Sequence, residues 1–437
     1  MTEYKHQRQR WLPFCLRCGL VGLENTMRTL ASLSLLAFST VALADPPTWT
    51  QWRGPNRDGH VAGATPWPEK LDANSLRVLW RAENLGESYS GPIVGPDRVF
   101  VTGTEDKKTE LIRALDRKTG KLVWKVEWEG AISVPFFAAR NGSWIRATPA
   151  LDGDTLYVAG IRDVLVALDE ATGKERWRAD FPKLLGTSLP SFGFVSSPLV
   201  VGEALFVQAG ASLVKLDKRT GKLLWQSLKE EGGMMASAFA SPVLARIAGT
   251  EQLVVQTRTR LVGVEPAAGK VLWSREIPSF RGMNILTPLP FSDGVFTSTY
   301  GGNTQWFPIA SEGGTLTPGK GWSLKYEGHM TSPVVVRNHA YLLGRDQRFL
   351  CVDLETGKER WRTEKRFGQY WSLVVNGDRL LALDQKGRLY LLKANPEEFD
   401  LLGEHKVADG ETWAHLAVCG DEIYIRDLKG LTVYRWK

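Results

Sequence analysis

Short runs of alternating apolar and polar residues fill this chain, separated by breaks rich in Gly, Asp and Pro, and helical periods fit poorly nearly everywhere. Runs such as LVAL (Leu165–Leu168) and LVKL (Leu213–Leu216) have the period of a half-buried strand. β-branched and aromatic residues dominate them, so the pattern predicts an all-β chain. One phrase returns at the ends of these runs. ALDRKTGKLVW ends at Trp124, ALDEATGKERW at Trp177, LDKRTGKLLW at Trp225, GVEPAAGKVLW at Trp273 and VDLETGKERW at Trp361. A fainter GKGW ends at Trp322. The intervals are 53, 48, 48, 49 and 39 residues. Such a period predicts an array of like units in place of the two or three domains that length alone suggests.

Each phrase reads as a hairpin. The acidic residue accepts backbone N–H bonds at the turn, and a glycine (Gly120, Gly173, Gly221, Gly269, Gly357) supplies the positive φ. The second strand then carries the Trp. A lone hairpin is marginal in water, so each ring is expected to pack against the next unit. Replacing one of these Trp residues by Ala is expected to cost about 3–5 kcal/mol.

A second marker counts the units. An apolar strand, a tight turn and another strand recur from Gly91, Thr148, Ser197, Ser241, Thr287, Ser332, Ser372 and His415, eight in all, six of them with Pro at the second position. LRVLWRA (Leu76–Ala82) resembles the Trp-bearing strand of a repeat, and GLTVYRW at 430–436 resembles the strand before the turn. These are complementary halves of one unit. The expected fold is therefore an eight-bladed β-propeller of four-stranded antiparallel blades over 76–437. Its ring is closed by an N-terminal strand that completes the C-terminal blade.

Upstream, 27–44 (MRTLASLSLLAFSTVALA) reads as a signal peptide cleaved after Ala44, which implies export to the periplasm or beyond the cell. Its apolar run is too short to span a bilayer, so no transmembrane span is expected in the mature chain. Residues 1–26 read as an N-terminal extension; translation starts at Met27, or else at Met1 with a long basic n-region. Residues 45–75 are turn-rich, and WTQWRGPNRDG (49–59) is expected to cover one face of the array.

Charge narrows the partners. The formal +7 falls to +4 beyond residue 44, with 50 basic against 46 acidic residues scattered through the turns. That pattern gives no nucleic-acid surface. The expected partner is a protein or polymer in the cell envelope or outside the cell. Cys15 and Cys18 have no second pair for zinc, while Cys351 and Cys419 sit on apolar strands as expected buried thiols. Thr-Gly-Lys lacks the remaining glycine, hydroxyl and helix of a phosphate loop. Asp152-Gly153-Asp154 and its relatives sit where two-residue hairpin turns belong, with too few oxygens for calcium.

The motif AxDxxTGKxxW, matched at 114–124 and 167–177 and altered at 216–225, 264–273 and 352–361, resembles the repeat of the pyrroloquinoline quinone (PQQ) propeller superfamily. That superfamily includes quinoprotein alcohol dehydrogenases and the propeller lipoprotein of the outer-membrane β-barrel assembly machinery. QWRGPNRDG and the SSPLV and SPV segments resemble a group of secreted bacterial PQQ-like proteins. The resemblance covers nearly all of 48–437 and implies the propeller fold. The enzymes of the superfamily use adjacent Cys, a calcium held by Glu, Asn and Asp, and an Asp base. The mature chain has no adjacent Cys, and no such set aligns to it. PQQ is therefore not assigned, and neither is a catalytic or metal-binding residue. No lipid-attachment Cys follows the signal core either.

The remaining candidates are residues just before each innermost strand, which propeller geometry places at one mouth of the central channel. They are Tyr89, Trp144 with Arg146, Phe194, Phe239 and Asn284, followed by His329, Tyr370 with Trp371, and Trp413 with His415. They either form a pocket for a planar or extended ligand or plug the channel. Arg281, Asn284, Tyr300 and Asn303 lie in the fifth repeat, where the phrase has decayed through function or drift. Three functions stay open: a non-catalytic binding or scaffold propeller, a PQQ-type dehydrogenase of alcohols or sugars, and a soluble envelope-biogenesis factor.

Overall fold

A computed structural model describes residues 46–437 apart from 64, 131, 137, 138, 140, 141 and 231–236. The expected signal peptide, its cleavage after Ala44 and the 1–26 extension lie outside the described residues. Eight antiparallel sheets follow one another along the chain as the blades of a propeller. Blade 1 spans 93–129, blade 2 150–180, blade 3 199–227 and blade 4 243–276. Blade 5 spans 289–324, blade 6 334–362 and blade 7 371–406. Blade 8 joins 417–436 to the strand Leu76–Ala82, which pairs Leu76 with Trp436 and Ala82 with Leu431. The sealing strand is thus the N-terminal one that the two half-repeats predicted.

The recurring phrase fastens blade to blade. In the first copy, Asp116 Oδ1 accepts from the N–H and the hydroxyl of Thr119 at 2.8 and 2.7 Å. Gly120 closes the turn at φ 70°. Asp169, Asp217 and Asp353 cap their turns in the same way. Each Trp indole then donates to a carbonyl of the following blade: Trp80 to Arg117, Trp124 to Glu170, Trp177 to Lys218, Trp225 to Ala267 and Trp361 to Asn395. Trp273 departs from this rule. Its N–H bonds Gln252 inside its own blade, and its ring meets Phe307 edge-on at 6.0 Å.

Blade 5 explains the departure. Its third strand, Thr304–Glu312, pairs at its start with the three-residue strand Trp322–Leu324 and at its end with Thr315–Pro318. The fourth-strand position is therefore shared between two short strands, and the blade has five strands. Ile309 and Leu316 cover Trp273 where a glycine turn would otherwise stand.

Candidate functional site

The Ser/Thr-Pro marker builds the wall of the central channel. A backbone N–H of one blade donates to the hydroxyl of the next: Gly91 to Thr148, Thr148 to Ser197, Ser197 to Ser241 and Thr287 to Ser332. The opening QWRGPNRDG crosses this ring. Trp49 pairs with Val94 in blade 1, and the Thr50 carbonyl accepts from Leu151 in blade 2. Arg57 donates to the Ser197 and Pro198 carbonyls of blade 3 at 3.1 and 2.7 Å. Trp52 Nε1 donates to Thr287 Oγ1 at 3.0 Å, Arg53 donates to the Pro333 carbonyl, and Val61 and Gly59 pair with Val375. The Trp52 ring meets His415 of blade 8 at 5.1 Å. The segment is a floor that touches seven of the eight blades through the contacts above.

Above this floor lies a cavity of about 370 Å³, within the range of small-ligand sites. All eight blades contribute to it. Tyr89 and Arg146 line it from blades 1 and 2, Phe239 from blade 4, His329 from blade 6, and Tyr370 and Trp413 from blades 7 and 8. Their rings form an arc: Tyr89 lies 5.9 Å from Trp413, which stacks on Tyr370 at 5.9 Å and 26°. Trp144 does not line the cavity; it buttresses Tyr89 edge-on at 5.2 Å.

Other expected lining residues turn into the blades. Phe194 is buried against Phe181 at 6.0 Å, and Phe192, two residues earlier, takes the lining position beside Phe239. Asn284 is buried and donates to the Thr257 and Arg258 carbonyls, leaving Met283 and Ile285 at the wall. Trp371 packs on Phe349, Phe367 and Tyr390 at 4.5–5.0 Å. His415 lies beneath Trp52, with Nδ1 2.9 Å from the Leu416 carbonyl. For Asn284 and Trp371 the cause is alternation: in extended chain, successive side chains face opposite sides, so a one-residue error reverses the direction.

The electrostatics follow from burial. Desolvation lowers Arg146 to about 10, while its guanidinium sits 5.2 Å over Tyr89 and donates to the Gly142 carbonyl. In the floor, desolvation lowers Arg53 to about 10 and Arg57 to about 9. Both are protonated at neutral pH, and among the described residues neither is ion-paired. Burial likewise lowers His329, and it takes His415 down to about 3, so His415 is a neutral packing group. No Asp or Glu lines the cavity among the described residues. Trp52, the serine hydroxyls at 197, 241 and 332, and Gln369 complete a lining that sequence reasoning did not assign. The one signal for them in the sequence is the Ser/Thr-Pro repeat, whose serines stand at the channel wall.

This lining answers whether the calcium-held quinone of the dehydrogenases fits. Calcium takes six to eight oxygens, with carboxylates prominent among them. The cavity offers rings, hydroxyls, one amide and a guanidinium, and no group of three or more His, Cys, Asp or Glu gathers anywhere among the described residues. The residues do not fit a calcium ion.

The blades, their fastening and the channel cavity define a PQQ-type propeller. A family model described as outer membrane protein assembly factor BamB matches residues 107–363, and the chain belongs to that family. It is 23% identical to the outer membrane protein assembly factor BamB of Moranella endobia over 79% of this chain and 85% of that one. It is 28% identical to a polyvinylalcohol dehydrogenase of Sphingopyxis sp. over 42% of this chain, a match spanning only 28% of the dehydrogenase. The structure of BamB from Moraxella catarrhalis superposes with TM-score 0.59 at 15% identity, covering 83% of this chain and 98% of that one. Quinohemoprotein alcohol dehydrogenase from Comamonas testosteroni gives 0.60 at 13% identity over 90% and 81%. These structural likenesses concern the fold. No helix among the described residues is long and apolar enough to cross a membrane.

Proposed function

We propose that this protein is a non-catalytic binding propeller of the cell envelope that engages its partner through the aromatic cup at the channel mouth. The observation that carries this reading is the cup itself: rings from several blades converge with one guanidinium, and among the described residues no carboxylate lines it to act as base or metal ligand. Similarity along most of both chains to proteins named as outer-membrane assembly factors supports a role in envelope biogenesis. The dehydrogenase reading has less support, since the match spans under a third of that enzyme.

Thermal unfolding with and without PQQ plus calcium separates the two. A ligand at 100 times its Kd adds about 2.7 kcal/mol to stability. The binding reading expects no shift and no alcohol-dependent dye reduction. A shift accompanied by turnover would overturn it. Cross-linking in an envelope fraction through a photoreactive residue at Trp413 should then capture a protein partner, and an uncaptured channel mouth would count against the reading.

A further inference from the structure

The weakened fifth blade opens a second feature on the same face. A groove of about 910 Å³ runs over blade 5 between the Arg275–Pro278 segment of blade 4 and Arg345, Asp346 and Arg362 of blade 6. Gly301 and Gly302 form part of its bed, and the three-residue strand Trp322–Leu324 borders it with its outer edge unpaired. Groove and cup share a wall. Tyr300 lines the cup, and Arg345, which lines the groove, lies 4.8 Å over the Tyr300 ring.

Three arginines along the groove lie over rings of blade 5 and of the segment that follows it: Arg275 over Phe307 at 4.3 Å, Arg345 over Tyr300 at 4.8 Å and Arg362 over Tyr326 at 4.6 Å. Stacking fixes guanidinium planes in advance, which suits them to carboxylates. Arg345 is paired with Glu327, and Arg362 with Asp346 and Glu359. Arg275 and Lys325 have no ion-pair partner among the described residues, nor do Arg258 and Arg281 on the neighbouring turns, and Glu276 is the one acid of the groove left to oppose them. Between groove and cup stands the half-exposed Phe280, edge-on to Tyr300 at 5.3 Å.

We propose that the groove over blade 5 is a second binding subsite, for an extended acidic polypeptide segment whose aromatic side chain enters the cup. Four cations face three acids in the groove, and Arg258 and Arg281 add to the positive side nearby, which favours carboxylates. The unpaired strand edge offers main-chain hydrogen bonds, which favours a polypeptide over an acidic polysaccharide. The assignment of the cup to the aromatic side chain rests on the function proposed above; the charge preference of the groove does not.

The test uses the full mature protein and a blocked octapeptide with four acidic residues and one Phe, followed by fluorescence anisotropy. Binding should weaken at least tenfold between 50 and 300 mM salt, and at least tenfold in the Lys325→Glu/Arg281→Glu variant, whose melting temperature should stay near the parent's because both side chains are solvent-facing. Trp413→Ala should weaken the Phe peptide to the level of its Gly counterpart while leaving the salt dependence. If it does not, the cup assignment fails and the groove assignment stands. Equal binding of a lysine-substituted peptide, indifference to the charge reversal, or no peptide binding at all would overturn the proposal. Equally tight binding of oligogalacturonate would overturn the choice of a polypeptide.

Discussion

The indole of Trp177 stands against Gly221 of the following blade, where a Cβ would fall 2.5 Å from the ring and where φ is +70°. Its N–H reaches the Lys218 carbonyl in the same turn at 3.0 Å. Any side chain at 221 therefore meets both backbone strain and the ring. Gly221→Ala should lower stability by about 2–4 kcal/mol. Trp177→Ala should cost about 3–5 kcal/mol, and Trp225→Ala less because that ring is half-buried. Urea unfolding of the three variants checks the order; unchanged midpoints would sink the fastening role.

Arg57 has a different task, satisfying two carbonyls of blade 3 from inside the floor. Arg57→Met keeps much of the volume and leaves both acceptors unpaired, which should cost on the order of 2–4 kcal/mol. Arg57→Lys should recover only part, since an ammonium cannot make the forked pair. A Lys variant as stable as the parent would show that the fork is unimportant.

Asp163 is buried, accepts from Gly210 N–H at 2.8 Å, and is pushed by burial up to about 7. The folded chain therefore holds a proton more tightly there than the unfolded chain does. Stability from this group falls as pH rises from about 4 to about 7 and is flat above that. Asp163→Asn retains an acceptor and tolerates the φ of 60°. It should flatten the dependence and stabilise the fold at pH 8 by up to a few kcal/mol. Denaturant titrations at pH 5 and pH 8 decide this, and parallel curves for parent and variant would refute it.

Cys351 and Cys419 are free and buried in different blades, and burial raises both thiols, Cys351 to about 12. Neither should react with iodoacetamide at pH 8 in the folded protein, and both should react in guanidinium. Mass spectrometry of the two peptides reads the result; labelling of either without unfolding would contradict the buried setting.

Ring closure predicts a truncation effect. Removing 45–82 takes away both the floor and the strand paired to 431–436. The product should aggregate or lose most of its stability on size-exclusion and thermal assays, and an equally stable monomer would place the seal elsewhere.

What the sequence made legible follows from repetition. A turn that needs Asp, Thr and Gly in fixed order, and a ring that needs a bare Gly opposite, leave the same letters in blades 1, 2, 3 and 6, so the repeat shows in the sequence. The cup does not repeat. Tyr89, Arg146, Phe239, His329, Tyr370 and Trp413 were found from their place before the inner strands. Phe194, Trp371 and His415 occupy the same stretches but face inward, and no letter code marks that turn of the backbone. Trp52, Arg53 and Arg57 were harder still, because Arg53 and Arg57 find acceptors 280 and 140 residues away. Only the folded ring brings them together.

The segment that carries these arginines also decides what kind of opening the propeller has. Tied across the axis from blade 3 to blade 7, it turns a hole into a vessel with a bottom. A ligand bound at Trp413, as proposed, would rest on a floor that is itself tied to opposite sides of the ring. The same bottom ties blades on opposite sides of the axis together, and cutting it should widen the ring as well as drain the site.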